Sequence, residues 1–156
     1  MTVPSIVGNK KRELDEKNTL AFVIEDDESH AKLFSEALHQ VGYEVEIIRD
    51  GKTALSRLAH TIPTVVVLDI NLPYVSGPDI LRHIRADQRL AKTRVIIASA
   101  DERIAATLNY DADLVLIKPI SYRQMCDLSE RLQVDSPAWS ADACADGSSI
   151  AHRVEV

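Results

Sequence analysis

The chain reads as an α/β protein, a doubly wound five-stranded parallel sheet with helices on both faces, and three observations predict it. Apolar runs of strand length alternate with segments of helical period, five of each. The runs TVVVL and RVIIA are continuously apolar, as strands covered on both faces are. Chemistry-bearing residues also stand where runs stop: Glu25-Asp26-Asp27 after LAFVI, Asp69 after TVVVL, and Lys118-Pro119 after LVLI. In a parallel sheet those stops share one edge, the edge where open α/β proteins place ligands.

The strands are expected at 20–25, 44–48, 64–69, 94–99 and 114–117. YEVEII is the least apolar of them, which makes the second strand the candidate edge. Phe34, Ala37, Leu38 and Val41 recur at helical spacing before Gly42, a C-terminal stop. Residues 51–60 carry Ala54, Leu55, Leu58 and Ala59 as a second helix, ended by Pro63. Asp79 is expected to cap a third helix bearing Ile80, Leu81 and Ile84, and Asp101 a fourth bearing Ile104, Ala105 and Leu108. Ser121 is placed to cap a fifth carrying Met125, Leu128 and Leu132.

A length of 156 residues with 46% hydrophobic and 27% charged content suits one domain, expected over 19–134. Residues 1–18 are expected as a flexible N-terminal extension, with a short helical turn over 12–17. Residues 135–156, polar and aperiodic apart from Trp139, are expected as a flexible tail too short to build an output domain. A net charge of -6 and no basic stripe argue against a nucleic-acid surface. Cys126 and Cys144 match neither a disulfide framework nor a CxxC metal site, and no run approaches a signal peptide or membrane span. A soluble, cytoplasmic protein is expected.

If Glu25, Asp26 and Asp69 lie within roughly 5 Å of one another, each pair repels by about 3 kcal/mol at an effective dielectric near 20. Such a group binds a cation or holds a proton. With Lys118 the four groups carry about two net negative charges, which a divalent ion such as Mg²⁺ (or Mn²⁺) balances. Phosphoryl chemistry follows, with a carboxylate as nucleophile. Asp69, alone at the end of a buried strand, is the best acceptor. Glu25 and Asp26 are expected to hold the metal, and Ser99 to offer a hydroxyl to a phosphoryl oxygen. A cis Lys118-Pro119 bond is entertained as a way of aiming the lysine across the strand ends. His30, His39, His60, His83 and His152 show no ligand spacing and are expected at ordinary surface positions.

The stretches FVIEDDESHAKLF, VVVLDINLPYVSGPDIL, VIIASA and LIKPI, in this order over about residues 20–133, resemble the receiver domains of two-component response regulators. The resemblance implies a flavodoxin-like strand order 2-1-3-4-5. It implies Glu25 and Asp26 as the acidic pair, Asp69 as phosphoacceptor, and the backbone carbonyl of Asn71 as a further Mg²⁺ ligand. Ser99 stands at the Ser/Thr switch position and Lys118 at the lysine that contacts the phosphoryl group. Pro73 and Gly77 match the loop after the phosphorylated strand, and Asp27 is an extra acid expected at a helix start. The implied partners are a histidine kinase or histidine phosphotransfer protein and a downstream protein target. Such a domain is not a conventional enzyme but catalyses its own Mg²⁺-dependent phosphorylation and dephosphorylation. The family often forms homodimers through the fourth- and fifth-helix face.

Two departures stand out. The position three residues before the lysine, Tyr or Phe in most receivers, is Val115, and Asp111 stands where the family more often has Gly, with a slightly shorter fourth-helix region implied. Two alternatives follow: a phosphorylation-independent interaction module on the same scaffold, and an aspartyl phosphatase of the haloacid-dehalogenase type. Asn71, where those phosphatases carry a second Asp, weakens the latter.

Overall fold

Runs rich in Val, Ile and Leu pack best as pleated strands buried on both sides, and a computed structural model, describing residues 20–109 and 111–133, places them so. Its strands are β1 (Leu20–Ile24), β2 (Glu44–Ile48), β3 (Val65–Asp69), β4 (Arg94–Ser99) and β5 (Leu114–Ile117). The helices are α1 (Glu28–Gln40), α2 (Gly51–His60), α3 (Gly77–Ala86), α4 (Glu102–Leu108) and α5 (Tyr122–Gln133), with a 3₁₀ turn at Gln88–Leu90. All strand pairs are parallel, in the order β2-β1-β3-β4-β5. The expected edge position of β2 and the order 2-1-3-4-5 are both found. The expected 1–18 and 135–156 extensions, with Trp139, Cys144 and His152, lie outside the described residues.

The two-residue period of the strands divides the core. Phe22, Ile24, Val66, Leu68, Val95, Ile97, Val115 and Ile117 face α2, α3 and α4 through Ala54, Leu58, Ile80, Leu81, Ile84 and Ala105. Ala21, Val23, Val65, Val67, Ile96, Ala98, Leu114 and Leu116 face α1 and α5 through Phe34, Ala37, Leu38, Met125 and Leu128. Each fully buried large aliphatic contributes about 1.5–3 kcal/mol. That burial makes the sheet a stiff platform for groups at its rim.

Short side chains start the helices. Asp27 accepts from His30 N at 2.9 Å, Asp50 from Thr53 N at 2.7 Å, and Asp101 from Arg103 N and Ile104 N. Ser121 and Gln124 form a reciprocal pair, Gln124 N donating to Ser121 Oγ and Ser121 N to Gln124 Oε1. The cap of α3 is Ser76 rather than Asp79. Asp79 lies three residues into the turn, where its carboxylate accepts from Ser76 Oγ at 2.8 Å. Gly42, at φ 100°, turns the chain out of α1 so that Tyr43 N reaches Leu38 O at 3.0 Å. A Cβ at Gly77 would lie 2.3 Å from the Asp69 carbonyl oxygen, so only glycine lets α3 begin this close to the end of β3.

Candidate functional site

Parallel register brings the strand ends level. Ile24 pairs with Leu68, Asp69 with Ala98, and Ser99 with Ile117, so the next groups in line are Glu25, Asp69, Ser99 and Lys118. One oxygen from each of Glu25, Asp26 and Asp69 lies within 4.8 Å of the others. Lys118 Nζ donates to Glu25 Oε2 at 2.9 Å and to Asp69 Oδ1 at 3.4 Å. The Lys118-Pro119 bond is cis, as entertained from the sequence. Chain-distant carboxylates and a lysine therefore meet at one rim.

Burial makes this arrangement costly. Glu25 and Asp69 are 1% and 6% exposed, while Asp26 is open to solvent. Desolvation pushes the Glu25 carboxyl above its ordinary value, the Lys118 hydrogen bond opposes that, and the Asp69 charge reinforces it. One ammonium does not neutralise three carboxylates. The donor set suits a hard divalent cation: carboxylate oxygens close enough to share an ion, and one acid on the solvent side where waters can complete the shell. Glu25, Asp26 and Asp69 would hold it.

Ser99 is fully buried, and its hydroxyl is engaged with the next turn, accepting from Asp101 N at 2.9 Å and donating to Asp101 O at 3.3 Å. Asn71 lies on the loop after β3 and, with Ala100, Asp101, Glu102 and Arg103, lines an open cleft of about 470 Å³. Asp27 is the cap of α1, a helix start as expected. Val115 is fully buried beside Ile97, so an aliphatic fills the position where the resemblance leads one to expect an aromatic. Helix α4 has seven residues.

Two groups at this rim escaped the sequence reading. His30, expected at an ordinary surface position, places Nδ1 3.2 Å from Lys118 Nζ. Arg49, just past β2, donates from Nη1 to the Asp26 carbonyl at 3.2 Å. Both follow a strand that ends at this edge, and that topological signal could have found them.

The profile of the response regulator receiver domain matches residues 21–130. The probable methanogenesis regulatory protein FilR2 of Methanothrix harundinacea is 27% identical over 78% of this chain and 85% of its own length. The transcriptional regulatory protein TrcR of Mycobacterium tuberculosis is 33% identical over 66% of this chain, which spans only 40% of that relative. Among solved structures, the receiver domain of the Francisella response regulator 1452 superposes with TM-score 0.65 at 27% identity, covering 74% of this chain and 96% of that one. The BeF₃-activated receiver domain of DrrB, a Thermotoga maritima protein, gives TM-score 0.66 at 28% identity over 74% of this chain and 97% of its own. Among the described residues no helix is long and apolar enough to cross a membrane. With the profile match running from the second residue of β1 through β5 into α5, the chain belongs to the response regulator receiver domain family of two-component systems.

Proposed function

We propose that this domain accepts a phosphoryl group from a phosphohistidine donor onto Asp69 in the presence of Mg²⁺ and thereby switches a protein-binding surface. The observation that carries the reading is the meeting of three carboxylates, within 4.8 Å of one another, with the Lys118 ammonium at one sheet edge. An Asp69 carboxylate oxygen attacks phosphorus, the phosphorus–nitrogen bond of the donor breaks, and its electron pair leaves with the imidazole, which takes up a proton. Lys118 would offer positive charge to the phosphoryl oxygens, and the Asn71 backbone carbonyl would join Glu25, Asp26 and Asp69 in holding the cation. Mg²⁺, when bound, supplies the remaining charge neutralisation for the transferring group. Ser99 exchanges its Asp101 contact for a phosphoryl oxygen, and this displaces the start of α4.

The donor is a histidine kinase or histidine phosphotransfer protein, the output is a protein contact rather than nucleic acid, and the setting is the cytoplasm. Incubation with acetyl phosphate and Mg²⁺ should add one phosphoryl unit to the intact mass, and chelation or Asp69→Asn should prevent it. Modification that persists in Asp69→Asn rejects the assignment. Val115 favours one competitor, a module that binds its partner irrespective of phosphorylation. Partner affinity unchanged by Mg²⁺ and by Asp69→Asn would select it.

A further inference from the structure

We propose that His30 is a positioning residue for Lys118, its imidazole Nδ1 accepting one N–H of the ammonium and holding that charge over the Glu25–Asp69 pair. The inference rests on the reading of Asp69 as phosphoryl acceptor. An ammonium has three donors and no acceptor, and Lys118 Nζ has three partners: Glu25 Oε2 at 2.9 Å, His30 Nδ1 at 3.2 Å and Asp69 Oδ1 at 3.4 Å. The first and third are carboxylates that the proposed cation also needs. The imidazole is the one uncharged acceptor in the set, so it keeps its hold on the lysine when the carboxylates are engaged elsewhere.

The ring geometry agrees with an accepting Nδ1. Carboxylate oxygens of Asp27 and Glu25 lie 3.5 and 4.0 Å from it, both farther than the ammonium at 3.2 Å. A proton on Nδ1 would point at a cation, so the ring proton belongs on Nε2. The ring is also held from behind. Asp27 caps α1 through His30 N, which sets His30 in the first turn beside the rim. Its plane lies 16° from that of buried Phe34, one helical turn on, with centroids 6.2 Å apart. Lysine, on a flexible four-carbon stem reaching from the end of β5 to the end of β1, gains direction from such an anchor.

The test compares wild type with His30→Leu, which removes the acceptor, and His30→Asn, whose amide oxygen can replace Nδ1. Phosphorylation is followed over a range of acetyl phosphate concentrations with Mg²⁺, and ¹⁵N spectra of the wild-type histidine rings are recorded. His30→Leu should lower the maximal rate about five- to tenfold with little change in the half-saturating concentration, and His30→Asn should recover most of the loss. The His30 ring should show a bare Nδ1 and a protonated Nε2. A phosphorylated wild type matched in rate by His30→Leu, a protonated Nδ1, or a folded His30→Asn as slow as His30→Leu overturns this proposal alone. A wild type that takes no phosphoryl group overturns the parent reading and this one with it.

Discussion

At the amino ends of β4 and β5, Asp113 accepts from Arg85 Nη2 at 2.8 Å, Arg94 Nη1 at 3.1 Å and Val95 N at 2.8 Å. Arg85 also donates from Nε and Nη1 to the carbonyls of Asp111 and Thr93, and Thr93 Oγ1 donates to the Pro63 carbonyl. At the carboxyl ends of the same sheet, three carboxylates cluster and Lys118 reaches two of them, Glu25 and Asp69. One rim has more cations than anions and its carboxylate receives three donors; the other has more anions than cations, with Glu25 almost fully buried. The first arrangement lowers the energy of the fold. The second raises it, and a cation bound there would relieve the cost.

Breaking the amino rim should cost the most stability. Asp113→Ala leaves two guanidinium groups and a backbone N–H without their shared acceptor, and should destabilise by about 2–3 kcal/mol. Urea unfolding would measure it, and the response to Mg²⁺ should be unaltered. At the carboxyl rim the sign reverses on adding a ligand. Mg²⁺ at ten times its dissociation constant should raise stability by about 1.4 kcal/mol, and Asp26→Asn should largely abolish that gain in the same unfolding assay.

A smaller effect concerns pH. The Glu25 carboxyl titrates above its ordinary value of 4.5 in the folded chain because burial penalises its charge. The folded state therefore binds more protons than the unfolded state across that window, so this group's contribution to stability is present below pH 4.5 and is lost as pH rises through the raised value. Asp50 and Asp87, lowered by their hydrogen bonds to Thr53 and Arg89, act with the opposite sign at lower pH. Subtracting the pH–stability curve of Glu25→Gln from that of wild type should isolate the decline, and saturating Mg²⁺ should flatten it.

The sheet and its carboxyl rim were legible in the chain. Continuous apolar runs marked β3 and β4 because burial on both faces leaves no polar alternation, and the observed strand bounds differ from the expected ones by one residue at most. Glu25, Asp26, Asp69, Ser99 and Lys118 were findable because parallel strands end on one edge. What stayed hidden depends on side-chain direction. His30 reaches Lys118 because the Asp27 cap sets the phase of α1, and a shift of one residue would rotate it away by about 100°. Ser76 takes the cap that Asp79 was expected to provide because Gly77 lets α3 start beside β3. The Arg85–Asp113–Arg94 network joins residues from α3, the turn before β5 and β4, which no local period relates.

A two-dimensional amide NMR titration, first with Mg²⁺ and then with beryllofluoride, examines both rims in one series. Amides of residues 25–27 and 69–71 should shift with Mg²⁺, and those of 98–101 and 118 with beryllofluoride, while 85, 93–95 and 113 stay in place. Shifts confined to the amino rim, or none at residues 25–27 and 69–71 at saturating Mg²⁺, would contradict the account.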